Sequence, residues 1–515
     1  LTLKQVSSVA HQMGRTRVLC EIFGVSGHSM SFADQKWIAD FHFALGITFM
    51  NQHLTLYSML GERKRDYPAN ISWAQPYWPH YRLFNDYAAR CSWFMQRGRI
   101  AADILLVHPI ASAWEIMPGR CEGVDYDAQV AGVRKLNHDF LTVFNALLEG
   151  HRDFDLGDEM VMAEYAKVDG AELVVGEVRY KTVVLPYCTY LAPATQSLLR
   201  QFIEAGGKVY AVGGAVENLG LPGTQYLSEA SRLLEVLEND LPRSISVTDT
   251  ADQEVASILY HQRIDGERNL FFLAHSDAEA GASVRVRVPA TGEVTIFDLT
   301  SGETALLQEG KGSPFPYAAV NLIRSDKDGV ELEWFVPPSG SLAFSVGDGL
   351  DPEATQPVRP TTGALYSGFS DPITKEKARE ETGPWAFERL HPNVLTLDYC
   401  RYSYDGQPMS EDVKPVPAVR AEVLRACGRK TMTQPYIYLT GKLPSRAVPV
   451  TLEFTYFIDV LPKTLALVLE QPDKVQVEVN GRKATERAVD DQGQDLAYAW
   501  LQDPGFGALD IRDLS

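Results

Sequence analysis

The chain has 515 residues, 45% of them hydrophobic, and a formal charge of −19. That length suits three or four cores at about 150 residues each. So acidic a chain argues against a nucleic acid or an anionic membrane as partner, since both need a basic face.

No apolar run reaches the ~18 residues that cross a bilayer. The six cysteines (Cys20, Cys91, Cys121, Cys188, Cys400, Cys427) form no CxxC pair. Neither a zinc site nor a disulfide framework is expected, only buried free thiols.

Thr2 to Met13 reads as a helix closed by Gly14. Arg17–Gly24 reads as a short buried strand ending in a carboxylate, Glu21, and a glycine turn. Asp34 to Leu45 has helical spacing (Trp37, Ile38, Phe41, Leu45), and Gly46–His53 is a second apolar strand with a polar end. The spacing predicts one βαβ unit, its strands parallel and its crossover right-handed. Functional side chains then stand at the carboxyl ends of both strands, where α/β barrels place their active sites. A loop from Leu60 to Tyr81 follows, with Pro68, Trp73, Pro76, Tyr77, Trp78, Pro79 and His80. Loops of this length are usually functional or disordered, and so much Trp and Tyr argues for order and for contact with something flat. Arg82 to Gly98 carries a helical stripe of Leu83, Tyr87, Cys91 and Phe94.

From Ala102 to Val247 strands and helices alternate: Asp103–Pro109, Ala128–Leu148, Tyr180–Pro186, Pro193–Ala205 and Gly207–Gly213. Such alternation specifies a doubly wound parallel sheet. From Arg268 to Gly349 the period falls to two, in Asn269–Leu273, Ser283–Val288, Glu293–Asp298 and Val330–Val336, as in an antiparallel sandwich. Residues 351–384 read as a linker or belt. The segment 385–515 is β-rich again, with strands expected at Val394–Asp398, Val450–Phe457, Thr464–Glu470 and Lys474–Val479 and a type I′ turn at Asn480–Gly481. It reads as a jelly roll, and the final Phe506–Ile511 as a strand cut mid-domain. With no initiator Met at Leu1, the expectation is a piece of a longer protein.

The chemistry centres on Glu21. A carboxylate at the end of an apolar strand is there for catalysis or for an ion pair, here with Arg15 or Arg17. Glycoside hydrolysis needs two carboxylates, one protonating the leaving oxygen and the other acting on the anomeric carbon or a water. His53, with Asn51, Gln52 and Tyr57 beside it, supplies hydroxyl-binding groups or is structural. Trp73, Tyr77 and Trp78 either stack on a sugar or pin their own loop. Asp40 is a helix-surface charge or an ion-pair member. Cys188 lacks the small-residue elbow of a nucleophile, and Gly206–Gly207 and Gly213–Gly214 lack a GxGxxG pattern. No DxDxDG-like cluster occurs, Asp490–Asp491 reading as a solvated turn, so neither a metal nor another cofactor is expected.

Ser7–Arg15, Val18–Gly24, Gly46–Phe49 and His53 with Tyr57–Ser58 resemble bacterial glycoside hydrolases of the α-L-rhamnosidase type, family 106. The order of parts is similar to that of other (β/α)8 glycosidases, including family 42 β-galactosidases. The terminal module, through Leu397–Tyr399 and Val479–Gly481, resembles the sugar-binding jelly roll of family 2 enzymes.

The resemblance implies a multidomain chain. Residues 1–100 would be the C-terminal part of a TIM barrel. A glutamine-amidotransferase-like α/β domain (101–250) and a β-sandwich (251–350) would follow, and after the linker a truncated jelly roll (385–515). Glu21 would be the base or nucleophile near the end of barrel strand seven, and His53 would line the pocket from strand eight. The second carboxylate would precede Leu1, leaving this piece inactive alone. The implied substrate is a carbohydrate, the implied activity release of α-L-rhamnose, and the α/β domain an oligomerisation surface. A retaining β-galactosidase and an inactive glycan-binding protein are the alternatives.

Overall fold

The computed structural model describes the chain except residues 57, 65–70, 74, 118–125, 214–218, 316–318, 349–392, 429–447 and 502. Tyr57, Pro68, Cys121, Gly214, the 351–384 linker and Trp385 thus lie outside the described residues. The chain forms two compact units. One comprises Leu1–Ile22, Met30–Gln52 and Pro79–Pro372, the other Phe23–Ser29, His53–Trp78 and Ile373–Ser515.

In the first unit, helix α1 (Thr2–Gln12) precedes β1 (Leu19–Ile22), α2 (Phe32–Ala44), β2 (Phe49–Gln52) and α3 (Arg82–Met95). The two strands pair in parallel, with Leu19 opposite Phe49 and Glu21 opposite Asn51, as the sequence predicts. A capping box starts α2: Ser31 Oγ accepts from the Asp34 N–H, and the Asp34 carboxylate accepts from the Ser31 N–H. It ends in a Schellman motif, the Ile47 and Gly46 N–H groups donating to the carbonyls of His42 and Phe43 while Gly46 takes φ +90°.

The buried face of α2 differs from the expected apolar stripe. It consists of Gln35, Lys36, Ala39, Asp40, Phe43 and Ala44, while Phe41 is exposed. Asp40 is no surface charge. It is buried in an ion pair with Lys36 and accepts a hydrogen bond from Tyr87.

The middle of the first unit is a parallel sheet. Strand β3 (Arg99–Ile100) leads to β4 (Ile104–Val107), helices α4 (Ile110–Ile116) and α5 (Tyr126–Glu149), and β5 (Phe154–Gly157). Helix α6 (Glu159–Tyr165) and a three-stranded meander follow: β6 (Ala166–Asp169), β7 (Glu172–Val175) and β8 (Val178–Tyr180). The rest is β9 (Thr182–Leu185), α7 (Pro193–Glu204), β10 (Lys208–Val212), β11 (Gln225–Leu227) and α8 (Ala230–Asp240). The sheet order is β11-β10-β9-β4-β5, all parallel. Alternate residues face opposite cores. Leu105, Val183 and Val209 pack with Leu199 and Phe202 of α7, whereas Ile104, Leu106 and Val184 pack with Phe140 and Phe144 of α5 and Leu233 of α8.

Two antiparallel sheets complete this unit. Their strands are β12 (Ser246–Thr248), β13 (Ile258–Asp265), β14 (Arg268–His275), β15 (Ala282–Val288), β16 (Val294–Asp298), β17 (Glu303–Leu306), β18 (Ala319–Asp326), β19 (Gly329–Val336) and β20 (Ser341–Val346). One sheet runs β12-β15-β19-β18 and the other β17-β16-β20-β14-β13-β3. Val247, Val284, Leu332 and Trp334 of the first share a core with Tyr260, Phe271, Ile296 and Phe344 of the second. Helix α2 lies on this second sheet through Phe43, whose ring meets Phe272 edge-on at 6.1 Å.

The second unit is built of small sheets. Strand β21 (Tyr399–Tyr404) lies between β22 (Lys414–Pro415) and β23 (Val450–Glu453), with helix α9 (Val416–Ala426) packed on it. Strand β24 (Ala466–Glu470) pairs antiparallel with β27 (Phe506–Asp510), and β25 (Glu478–Val479) forms a hairpin with β26 (Arg482–Lys483). Its turn residues Asn480 and Gly481 both have positive φ, as a type I′ turn requires. Two expected strands move: residues 394–398 are irregular, and Pro472–Lys474 is a 3₁₀ turn.

Candidate active site

Strand β1 alternates between a buried and an exposed face. Val18 and Ile22 are buried, whereas Leu19 and Glu21 face the other way, beside Phe49 and Asn51 of β2. This second face is open: Leu19 is 54% and Phe49 42% exposed. The strand is therefore half-buried rather than buried, and the Glu21 carboxylate is accessible. Its negative charge is felt next door, since burial and then Glu21 push the Cys20 thiol up from its ordinary value. Because β1 and β2 are parallel, Glu21 and Asn51 stand together at the carboxyl edge of the pair.

Gln52, the next residue, donates through Nε2 to Asn85 Oδ1 on α3 at 3.0 Å, which fixes the end of β2 to that helix. His53 begins the second unit's second segment, His53–Trp78. Its ring lies over Gly24, where an added Cβ would meet it at 3.9 Å.

The loop beyond His53 is held by carboxylates far away in sequence. Asp503, itself buried, accepts hydrogen bonds from Ser58 Oγ at 3.0 Å and from the Met59 N–H at 2.6 Å. Glu470 accepts from the Gly61 N–H at 2.7 Å and pairs with Lys64. Trp73 then lines a cavity of about 880 Å³ with Ser58, Gln471, Lys474, Arg487, Tyr498 and Phe506. Arg487 bridges Asp473 at 2.6 Å and Asp495 at 3.4 Å along the cavity. The expected aromatic wall divides: Tyr77 and Trp78 do not line this cavity, and Trp78 is exposed. Sequence reasoning missed Asp503 and Glu470, because no local motif marks residues that act across 400 positions, and it missed Arg487, whose carboxylate partners lie 8 and 14 positions away.

Cys188 is buried, and its thiol is pushed up to about 12, chiefly by burial and then by Glu159. A thiol so disfavoured as thiolate is a poor nucleophile. Among the described residues no cluster of three His, Cys, Asp or Glu could hold a metal ion.

The sequence matches no family model and no curated protein. Several solved structures are similar in part. A rhamnosidase from Novosphingobium sp. PP1Y aligns over 78% of this chain and 36% of its own, at 15% identity and a TM-score of 0.46. Gan42B, a GH42 β-galactosidase, aligns over 67% of this chain and 56% of its own, at 10% identity and a TM-score of 0.45. An α-L-fucosidase isoenzyme from Paenibacillus thiaminolyticus aligns over 62% and 58%, at 13% identity and a TM-score of 0.35. The chain thus spans about a third of the rhamnosidase and just over half of the other two.

Proposed function

We propose that this chain is part of a glycoside hydrolase acting on terminal sugars, with Glu21 as one of its two catalytic carboxylates. The observation that supports this reading is the pairing of Glu21 with Asn51, both exposed, at the carboxyl edge of two parallel strands. A carboxylate there can attack an anomeric carbon or take a proton from a water, and an amide beside it can donate to a ring hydroxyl. Strands β1 and β2 carry no other carboxylate, so the acid that protonates the leaving oxygen belongs elsewhere in the complete site. The resemblance of the first hundred residues favours an α-L-rhamnoside as substrate, with a retaining β-galactosidase as the alternative.

Glu21→Gln in the full-length enzyme is the test. It keeps the size and removes the charge, and kcat is expected to fall by about three orders of magnitude or more, roughly 4 kcal/mol of transition-state stabilisation. Turnover near that of the wild type would remove Glu21 from the mechanism.

A second reading is a glycan-binding protein without turnover. The cavity lined by Trp73, Tyr498 and Phe506, with Lys474 and Arg487 beside them, favours it. Retention on a glycan array, unaltered by Glu21→Gln and lost in Trp73→Ala, together with no hydrolysis across a broad substrate panel, would select it.

A further inference from the structure

The four-stranded sheet of the first unit carries another cavity, of about 540 Å³. Three adjacent strands build it in register. Arg285, Glu333 and Asn321 form one cross-strand row, and Ser283, Phe335 and Ala319 form the next. Directly paired residues share a face, and these rows face away from the sandwich core, which takes Val284, Trp334 and Val320.

Two glycines make room for these side chains. A Cβ on Gly281 would come within 3.1 Å of the Phe335 ring, and one on Gly312 within 2.9 Å of Asn321 Oδ1. Neither glycine has a positive φ. What each supplies is therefore space, not backbone freedom.

The charges decide the ligand class. Arg285 is engaged by Glu331 at 3.1 Å and Asp252 at 3.4 Å. Asp249 turns an oxygen to the backbone N–H groups of Ala251 and Gln253. Glu333 and Asn321 remain on the face as acceptor and as amide. Two carboxylates in the lining of a chain with charge −19 repel an anion. An exposed aromatic ring flanked by a carboxylate and an amide suits a ligand with a flat C–H face and a rim of hydroxyls.

We infer that this face binds a neutral oligosaccharide, Phe335 lying against a pyranose ring while Asn321 and Glu333 take its oxygens. The site is independent of Glu21 and holds polymer rather than cleaving it.

The test is affinity electrophoresis of the purified chain through gels containing xyloglucan, galactomannan, amylose or polygalacturonate, followed by titration calorimetry with oligosaccharides of the retarding polymer. At least one neutral polymer is expected to retard the wild type. Phe335→Ala and Asn321→Ala are each expected to weaken binding about tenfold or more, with unchanged circular dichroism. Gly312→Ala, which intrudes only on the Asn321 amide, is expected to weaken it as well, and Glu21→Gln to leave it intact. Retardation by polygalacturonate alone or by no polymer overturns the proposal. So does binding that survives the Phe335→Ala, Asn321→Ala double substitution, or that is lost in Trp73→Ala or Glu21→Gln.

Discussion

Asp40 shows how much one buried carboxylate can organise. Only 2% exposed, it takes the Lys36 ammonium on one oxygen and the Tyr87 hydroxyl on the other. Lys36 also donates to Ser341 Oγ at 2.8 Å, so α2, α3 and β20 meet at one polar knot. Burial and then the Asp40 charge hold the Tyr87 hydroxyl well above its ordinary value, which keeps it a donor. Asp40→Ala would leave an ammonium buried without its carboxylate, at a cost of about 3–5 kcal/mol. Tyr87→Phe removes one hydrogen bond to a charged group and is expected to cost about 1.5–3 kcal/mol. The shift of the urea midpoint in each variant checks that order. Cys188 gives a second residue-scale test. With its thiol pushed up to about 12, the native protein and Cys188→Ser are expected to release the same number of fast-reacting thiols to a disulfide reagent at pH 8. A difference of one thiol between them would show Cys188 to be reactive.

At the scale of elements, α1 docks on the parallel sheet through polar groups. Gln12 Nε2 donates to the Leu156 carbonyl and to the Tyr180 hydroxyl, both at 3.1 Å, and Ser8 Oγ accepts from the Leu156 N–H at 2.8 Å. Lys4 pairs with Asp153 at 3.0 Å, and His11 with Asp155. Near this joint His261 is buried, and burial first, then the charges of Arg263, Lys4 and His11, hold its pKa well below the ordinary value. Above about pH 6.5 the imidazole is neutral in both folded and unfolded chains and contributes nothing to pH dependence. Below that, the unfolded chain takes up a proton that the folded one refuses, so stability falls as pH falls, by up to about 1.4 kcal/mol per pH unit. His261→Leu is expected to remove this slope, so that its unfolding free energy changes by about 2 kcal/mol less than the wild type's between pH 7 and 5. Denaturant titrations at both pH values check it.

These contacts also mark what the sequence could tell. The β1–α2–β2 unit is legible because apolar runs and glycines bracket it, and Ser31 with Asp34 announces the helix. The buried faces of α1 and α2 are not, because Lys4, Gln12, Lys36 and Asp40 look like solvent-facing residues until their partners, up to about 300 positions away, are known. Glu21 and Asn51 were legible as strand ends. The openness of their face was not, since an apolar strand reads as buried whichever side is covered.

At the scale of the molecule, the second unit owns the segments that follow both strand ends, Phe23–Ser29 and His53–Trp78. Asp503 holds one of these, and the Gly505 N–H besides. Asp503→Ala strips a charged acceptor from three donors and is expected to cost the second unit about 2–4 kcal/mol. In hydrogen exchange, peptides over 58–64 and 503–507 are expected to lose protection, while those over Thr182–Leu185 in the parallel sheet keep theirs. Equal loss in both regions would contradict a local role.

The chain passes between the two units at residues 22, 29, 52, 78 and 372. A module joined by a single hinge can be exchanged between genes as a cassette, but this one cannot. Cutting the gene after residue 372 would leave Ser58, Met59 and Gly61 facing neither Asp503 nor Glu470. The segments that continue from Glu21 and from Asn51 would lose their support in the same event. Recombination can therefore replace the terminal module only together with those two loops, and the edge that carries Glu21 is inherited with the module that holds its loops.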